Sequence, residues 1–339
     1  MATLDDQLLT NNVESTQARA FTASELVPCS SCSRANPPTR ANCLYCGAAL
    51  DTGVESLPST ATVTAPEIGT EDVVHVVAAP ARSDVSEVSA ETAKLLNLAP
   101  LELNSLLSAR VAPLYTTTTT GQAQAISDKL RSAGVEPLTI SDAQLNLATP
   151  PKQIAALAID NEALTASVRR TGERVSVPWE DVVLIVLGRL YFATTEIEQK
   201  RDKSKQVLDE RQLTSDEAVL DIYSRTDESG WRIRAGSFDF SCLGAEKKPI
   251  AFENFRALGD VLRRNSPYAV CDDSYVRVRV ALNKVWPLEE RAGASERRRT
   301  LTREINATAT VRDNELQFTR YSRLLRFLAP QLHNDAQQS

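Results

Sequence analysis

The sequence predicts an α+β chain of several domains. Three observations carry this: two Cys-x-x-Cys pairs close together near the N-terminus, a following stretch rich in acidic residues and empty of aromatics, and a series of short alternating segments ending in one amphipathic helix. With 339 residues, 42% of them hydrophobic, the chain is long enough for two or three cores of ordinary composition. The expected order is a small metal-stapled unit, a disordered linker, a small α/β module, an antiparallel β domain closed by a helix, and a helical tail.

Residues 1–26 are polar, with Leu8 and Leu9 as an apolar pair, and read as a mobile, disordered tail. The first ten have neither a basic region nor an apolar run, so no secretion signal is expected and the location is expected to be cytoplasmic, where thiols stay reduced.

Residues 27–50 cannot bury a core, yet hold Cys29, Cys32, Cys43 and Cys46 as two Cys-x-x-Cys pairs separated by ten residues. Each pair forms a tight turn that points both sulfurs the same way, and two such turns facing each other suit one tetrahedral Zn²⁺. Four thiolates leave no position open for water, so the expected ion is structural, not catalytic. Such a site supplies about 10–16 kcal/mol of apparent binding free energy at neutral pH. Two disulfides or four free thiols are the bland alternative, and the disulfides need an oxidising compartment. Gly47 follows the second pair, where left-handed backbone is often required. With Asn36-Pro37-Pro38 in the loop and Cys46-Gly47-Ala48-Ala49-Leu50 at its end, the stretch resembles the zinc-ribbon family. That resemblance implies a metal held for shape and a surface that binds protein or nucleic acid.

Net charge is −6 but unevenly spread. Residues 51–92 carry eight acidic side chains against Arg82 alone. With no aromatic residue this segment cannot offset its ordering entropy, and an acidic flexible linker is expected, spanning about 35 Å if coil-like. Within it, residues 73–77 (Val-Val-His-Val-Val) have strand character.

Residues 93–150 read as helix, strand, helix, strand, with Pro100 dividing a leucine-rich stretch and Gly134 stopping the second helix. The helix, Ala133-Gly134-Val135 turn and strand resemble half of a ferredoxin-like module, as in the ribosomal stalk protein's C-terminal domain, with no identifiable first strand.

Residues 151–267 form the largest domain. Strands are expected at 153–159, 164–169, 174–177, 182–192, 218–224, 231–235 and 238–243. The densely charged 196–217 reads as an exposed loop or short solvated helix. A closing helix at 251–264 sets Phe252, Phe255, Leu258 and Leu262 at helical spacing. Seven strands and then one helix is the order of a pleckstrin-homology-like barrel, which the domain resembles in architecture.

Residues 268–339 read as mostly helical. Asp272-Asp273-Ser274 caps a helix running to Trp286, although alternating Val276, Val278 and Val280 also suits a strand. In residues 316–329, Phe318, Tyr321, Leu325 and Leu328 share one face, and Arg320, Arg323 and Arg326 line another.

Catalytic parts are scarce. The two histidines, His75 and His333, fall in the linker and the extreme tail, so a His-based triad has little support. No P-loop and no Gly-x-Gly-x-x-Gly turn is present. Glu180-Asp181 and Asp272-Asp273 suit capping or solvation better than acid–base work. Cys242 and Cys271 are single and read as buried thiols.

The expected role is therefore a non-enzymatic zinc-binding adaptor with an unidentified protein partner, of unknown oligomeric state and without a transmembrane segment. The alternative is nucleic-acid binding through Arg34 and Arg40 of the ribbon and through Arg297, Arg298, Arg299, Arg303 and the later arginine stripe, with Tyr321 stacking on a base. A headgroup-binding barrel is a third, weaker reading.

Overall fold

A computed structural model describes residues 19–21, 26–30, 34–36, 72–78, 90–202, 205–293, 296–299 and 304–338. In chain order the strands are β1 (Arg19–Phe21), β2 (Val27–Pro28), β3 (Ala35–Asn36), β4 (Val74–Ala78), β5 (Ala112–Thr117), β6 (Pro137–Ser141), β7 (Lys152–Ile159), β8 (Ala163–Val168), β9 (Arg174–Pro178), β10 (Val182–Asp202), β11 (Lys205–Ser224), β12 (Trp231–Arg234), β13 (Val270–Asp272), β14 (Glu289–Ala292), β15 (Glu296–Arg299) and β16 (Glu304–Asp313). The helices are α1 (Ala90–Leu95), α2 (Pro100–Leu107), α3 (Thr120–Ser132), α4 (Ala251–Asn265), α5 (Tyr275–Val285) and α6 (Glu315–Gln338). The α+β class is as expected. The chain divides into two units, one of residues 1–69, 192–215 and 290–312, the other of residues 70–191, 216–289 and 313–339.

In the larger unit, β10, β11, β12, β7, β8 and β9 are successive neighbours in one sheet. β7–β8 and β8–β9 pair antiparallel, β12–β7 pair parallel, and β13 adds parallel to β10. Strand alternation explains β8, whose Leu164 and Ala166 are buried while Thr165 and Ser167 are only partly covered. α4 sets Phe255, Leu258 and Leu262 into the cluster of Ile154, Leu157, Leu220, Ile222 and Ile233. Asn254 pins the entry to α4, accepting from the Lys248 N–H at 2.6 Å and donating to its carbonyl at 2.7 Å.

The expected barrel does not close. Among the described residues the sheet path has two ends, one of them β9, so the sheet is open. Part of the reason lies at residues 238–243, where a 3-10 helix (Phe240–Glu246) replaces the expected strand. Asp239 accepts from the Ser241 N–H at 3.0 Å and the Ser241 hydroxyl at 2.6 Å, offering the backbone a local turn in place of a ladder. A single bridge, Ala156 to Asp239, is what remains of the pairing.

The same unit holds a second sheet, β5-β4-β6, in which β4 is central and antiparallel to both neighbours. This corrects the linker expectation for part of residues 51–92, because Val74 to Ala78 are all buried. The composition of the segment is that of a coil, but five consecutive residues that fit both faces of a central strand outweigh the average. β4 is also the first strand that the helix–strand–helix–strand pattern lacked. α1, α2, β5, α3 and β6 follow that expected order, and α3 buries Ala123 and Leu130.

In the smaller unit, β1 pairs antiparallel with β11 (Arg19↔Glu210, Phe21↔Leu208), and β15 pairs with β16 (Arg297↔Asn306, Arg299↔Glu304). Residues 196–202 and 205–217 are strand, not loop or helix. Charge density misled because an exposed strand needs cover on one face only, and Ile197 supplies a buried position among the charges.

Candidate functional site

The cysteine-bearing segment is described in part. β2 and β3 pair in register Val27↔Asn36 and Pro28↔Ala35, and the Cys29 N–H donates to the Arg34 carbonyl at 2.9 Å. Cys29, the first cysteine of the first Cys-x-x-Cys pair, thus directly follows β2 of a small antiparallel strand pair. Cys29 is 2% exposed, and the Asn36 amide also donates to Arg34 O at 2.8 Å. Cys32, Cys43 and Cys46 lie outside the described residues. A buried sulfur beside this strand pair suits a thiolate ligand, and the donor set of the full sequence suits zinc. Among the described residues no group of three or more His, Cys, Asp or Glu side chains could hold a metal.

His75 is not in a linker. It is 0% exposed on β4, and both ring nitrogens are engaged. Nε2 lies 2.6 Å from Asp142 Oδ1, and Nδ1 lies 2.9 Å from Thr116 Oγ1 and 3.0 Å from Trp286 Nε1. An indole N–H only donates, so Nδ1 is the acceptor and Nε2–H points at the carboxylate. Arg320 donates to the same carboxylate at 3.2 and 2.7 Å. Burial raises the Asp142 pKa, but the hydrogen bonds from His75 and Arg320 and the charge of Arg320 outweigh it and hold the carboxyl below its ordinary value of 3.8. A hydroxyl, an imidazole and a carboxylate in line look like a nucleophilic triad. Here, however, the ring nitrogen facing the hydroxyl also accepts from Trp286, and the imidazole has no exposed surface for a substrate.

The arginine stripe of α6 is used internally. Arg323, 3% exposed, donates to the carbonyls of Thr149 at 2.9 Å, Ser229 at 2.6 Å and Glu228. Arg326 donates to Ser224 O at 3.0 Å, and Arg320 is held by Asp142. Tyr321 is fully buried and donates to Asp272 Oδ1 at 3.0 Å. These four residues therefore present nothing to phosphates or bases. The amphipathic pattern misled because residues 315–329 of α6 are packed around most of the helix circumference, and their arginines meet backbone carbonyls and a carboxylate rather than water. Of the other arginines, Arg34 is exposed, Arg297, Arg298 and Arg299 stand on β15, and Arg40 and Arg303 lie outside the described residues.

The remaining candidates have local roles. Asp272 accepts from the Ser274 N–H at 3.1 Å and its hydroxyl at 3.0 Å just ahead of α5, which forms as expected but without a side-chain cap from Ser274, while Asp181 lies 3.9 Å from Arg225. Cys242 and Cys271 are half-buried, not fully buried, and burial pushes the Cys242 thiol up, away from reactivity.

Sequence reading missed a buried ion pair. Arg232 and Asp221, 1% and 0% exposed, meet through two hydrogen bonds of 2.8 Å, and Arg232 also reaches Thr319 Oγ1 at 3.0 Å. The surface of the larger unit carries two open clefts. One of about 640 Å³ is edged by Lys247, Lys248, Arg263 and Arg264, and one of about 600 Å³ by Arg169, Arg170, Glu217, Arg234 and Glu315. No helix among the described residues is long and apolar enough to cross a membrane.

Comparison with protein-family models, curated proteins and solved structures finds no match for this chain.

Proposed function

We propose that this chain is a non-enzymatic adaptor whose zinc ribbon, residues 27–50, binds one structural Zn²⁺ through Cys29, Cys32, Cys43 and Cys46 and presents a protein-binding surface. The observation that carries the reading is the burial of Cys29 directly after β2, beside the β2–β3 pairing. The bound ion supplies shape, and a reducing compartment such as the cytoplasm keeps the thiolates available. The sheet domain supplies a second contact surface. Support for an adaptor over an enzyme comes from the larger unit, where the His75, Asp272 and Arg232 clusters are spent on internal hydrogen bonds.

The test uses the full chain and the double variant Cys43→Ser/Cys46→Ser, because truncation to residue 93 would remove β4 and unfold the module around it. Native mass spectrometry is expected to find one zinc per wild-type chain and none on the variant. Affinity capture is expected to recover a stoichiometric protein with the wild-type chain and to lose it with the variant. A metal-free wild-type chain, or zinc-dependent capture of nucleic acid alone, would overturn the proposal.

A further inference from the structure

The cleft of about 600 Å³ contains an unusual backbone feature. Three non-glycine residues among those described have left-handed backbone, and two are Asn97 and Asn146, the residue type that tolerates it best. The third is Arg170, at φ 75° in the turn between β8 and β9. That turn is closed by Val168 N–H to Glu173 O at 2.8 Å and Gly172 N–H to Val168 O at 3.0 Å, neither of which requires an arginine. Neighbouring residues on a strand face opposite ways. The left-handed turn instead lets Arg169 and Arg170 line the same cleft.

The cations there are only partly neutralised. Glu217 is taken, accepting from Arg234 at 2.9 and 2.7 Å and from the Gly236 N–H at 2.8 Å. Glu315 is shared between Arg232 at 3.4 Å and Arg234 at 4.0 Å, and Asp221 is held by Arg232 beneath. Arg169 donates to the Ser237 carbonyl, which carries no charge. Arg170 is exposed and has no hydrogen-bond or ion-pair partner among the described residues. The positive excess thus sits on two adjacent guanidiniums whose planar forks match a multi-oxygen anion. The other lining groups, Glu315, Gln153 and Ser237, suit hydroxyls rather than apolar surface.

We propose that this cleft binds the phosphate group of a small hydroxylated phosphate monoester, with Arg169 and Arg170 as the anion-contacting pair. The volume lies within the range of small-molecule sites, about 300–1,000 Å³. Strained backbone held where an unpaired cation is needed is the mark of a site whose geometry serves binding at a cost to stability.

The experiment is amide NMR of the full chain titrated at constant ionic strength with inorganic phosphate, glycerol 3-phosphate and, as a planar monoanion, acetate. Saturable shifts of the Arg170, Gly172, Gly236 and Ser237 amides are expected with both phosphates, tighter with glycerol 3-phosphate, and absent with acetate. Arg170→Gly is expected to weaken binding about tenfold or more while raising the thermal midpoint, because glycine occupies this backbone region without strain. Arg170→Lys, which keeps the charge and loses the fork, is expected to bind at intermediate strength. Lys248→Ala, in the other cleft, is expected to bind as the wild type does. Absence of saturable shifts in the wild-type chain, equal shifts with acetate, or wild-type affinity in Arg170→Gly would overturn the proposal.

Discussion

Replacing Asp221 by Ala is expected to destabilise the chain by about 3–5 kcal/mol, read as a lower urea midpoint at unchanged slope. The size follows from what is left behind. Arg232 is buried on β12 with its guanidinium 5.0 Å from the centre of the Phe318 ring, and Asp221 supplies two of its charge-assisted hydrogen bonds. Without Asp221 the cation retains Thr319 at 3.0 Å and a longer contact to Glu315 at 3.4 Å. Neither replaces a buried counter-charge, and water has no access to do so. The asymmetry supplies the control: Asp221→Leu combined with Arg232→Met removes both charges and is expected to restore most of the loss, since a paired buried ion and a packed apolar pair are close in free energy. If Asp221→Ala cost no more than a surface substitution, about 0.5 kcal/mol, Asp221 would not be the counter-charge that keeps Arg232 buried.

The same pair shows what the sequence made legible and what it did not. Local signals were readable: the periodicity of Phe255, Leu258 and Leu262 announced α4, and the short apolar-alternating segments at 164–169 and 174–177 announced β8 and β9. Where a segment's average composition and its tertiary position disagree, position won. Val74 to Ala78 form a central strand inside an acidic, aromatic-free stretch, and residues 196–202 extend as strand despite their charges. Sequence reading gave Arg323 and Arg326 to solvent because arginine usually lies there. Their carbonyl partners, Thr149, Ser224, Glu228 and Ser229, are about a hundred residues or more away in the chain. No window of local pattern contains such a contact. The same holds for Arg232, whose alternation with Trp231 and Ile233 gives a strand but does not reveal the aspartate across the ladder.

His75→Ala is expected to cost about 3–5 kcal/mol, from a cavity in the β4 sheet and from an indole N–H left buried without an acceptor. Trp286 is fully buried and packs edge-on against the imidazole at 5.3 Å, so the donor cannot turn to solvent. Thr116 keeps another outlet because its hydroxyl is on a half-exposed residue, which makes the indole the larger loss. His75→Ala and Trp286→Phe should therefore be non-additive, with the double variant less destabilised than the two single losses together. The variant also has a pH signature. Asp142 is held below 3.8 in the folded chain, so the stability it contributes is fully present above that value and is lost as pH falls through its lower folded pKa. Removing His75 withdraws one of the hydrogen bonds that depress Asp142, leaving those from Arg320. The acid-side fall in urea midpoint should then be shallower in His75→Ala than in the wild-type chain. An identical acid limb in the two proteins would mean that His75 does not stabilise the Asp142 carboxylate, and that Arg320 alone holds it.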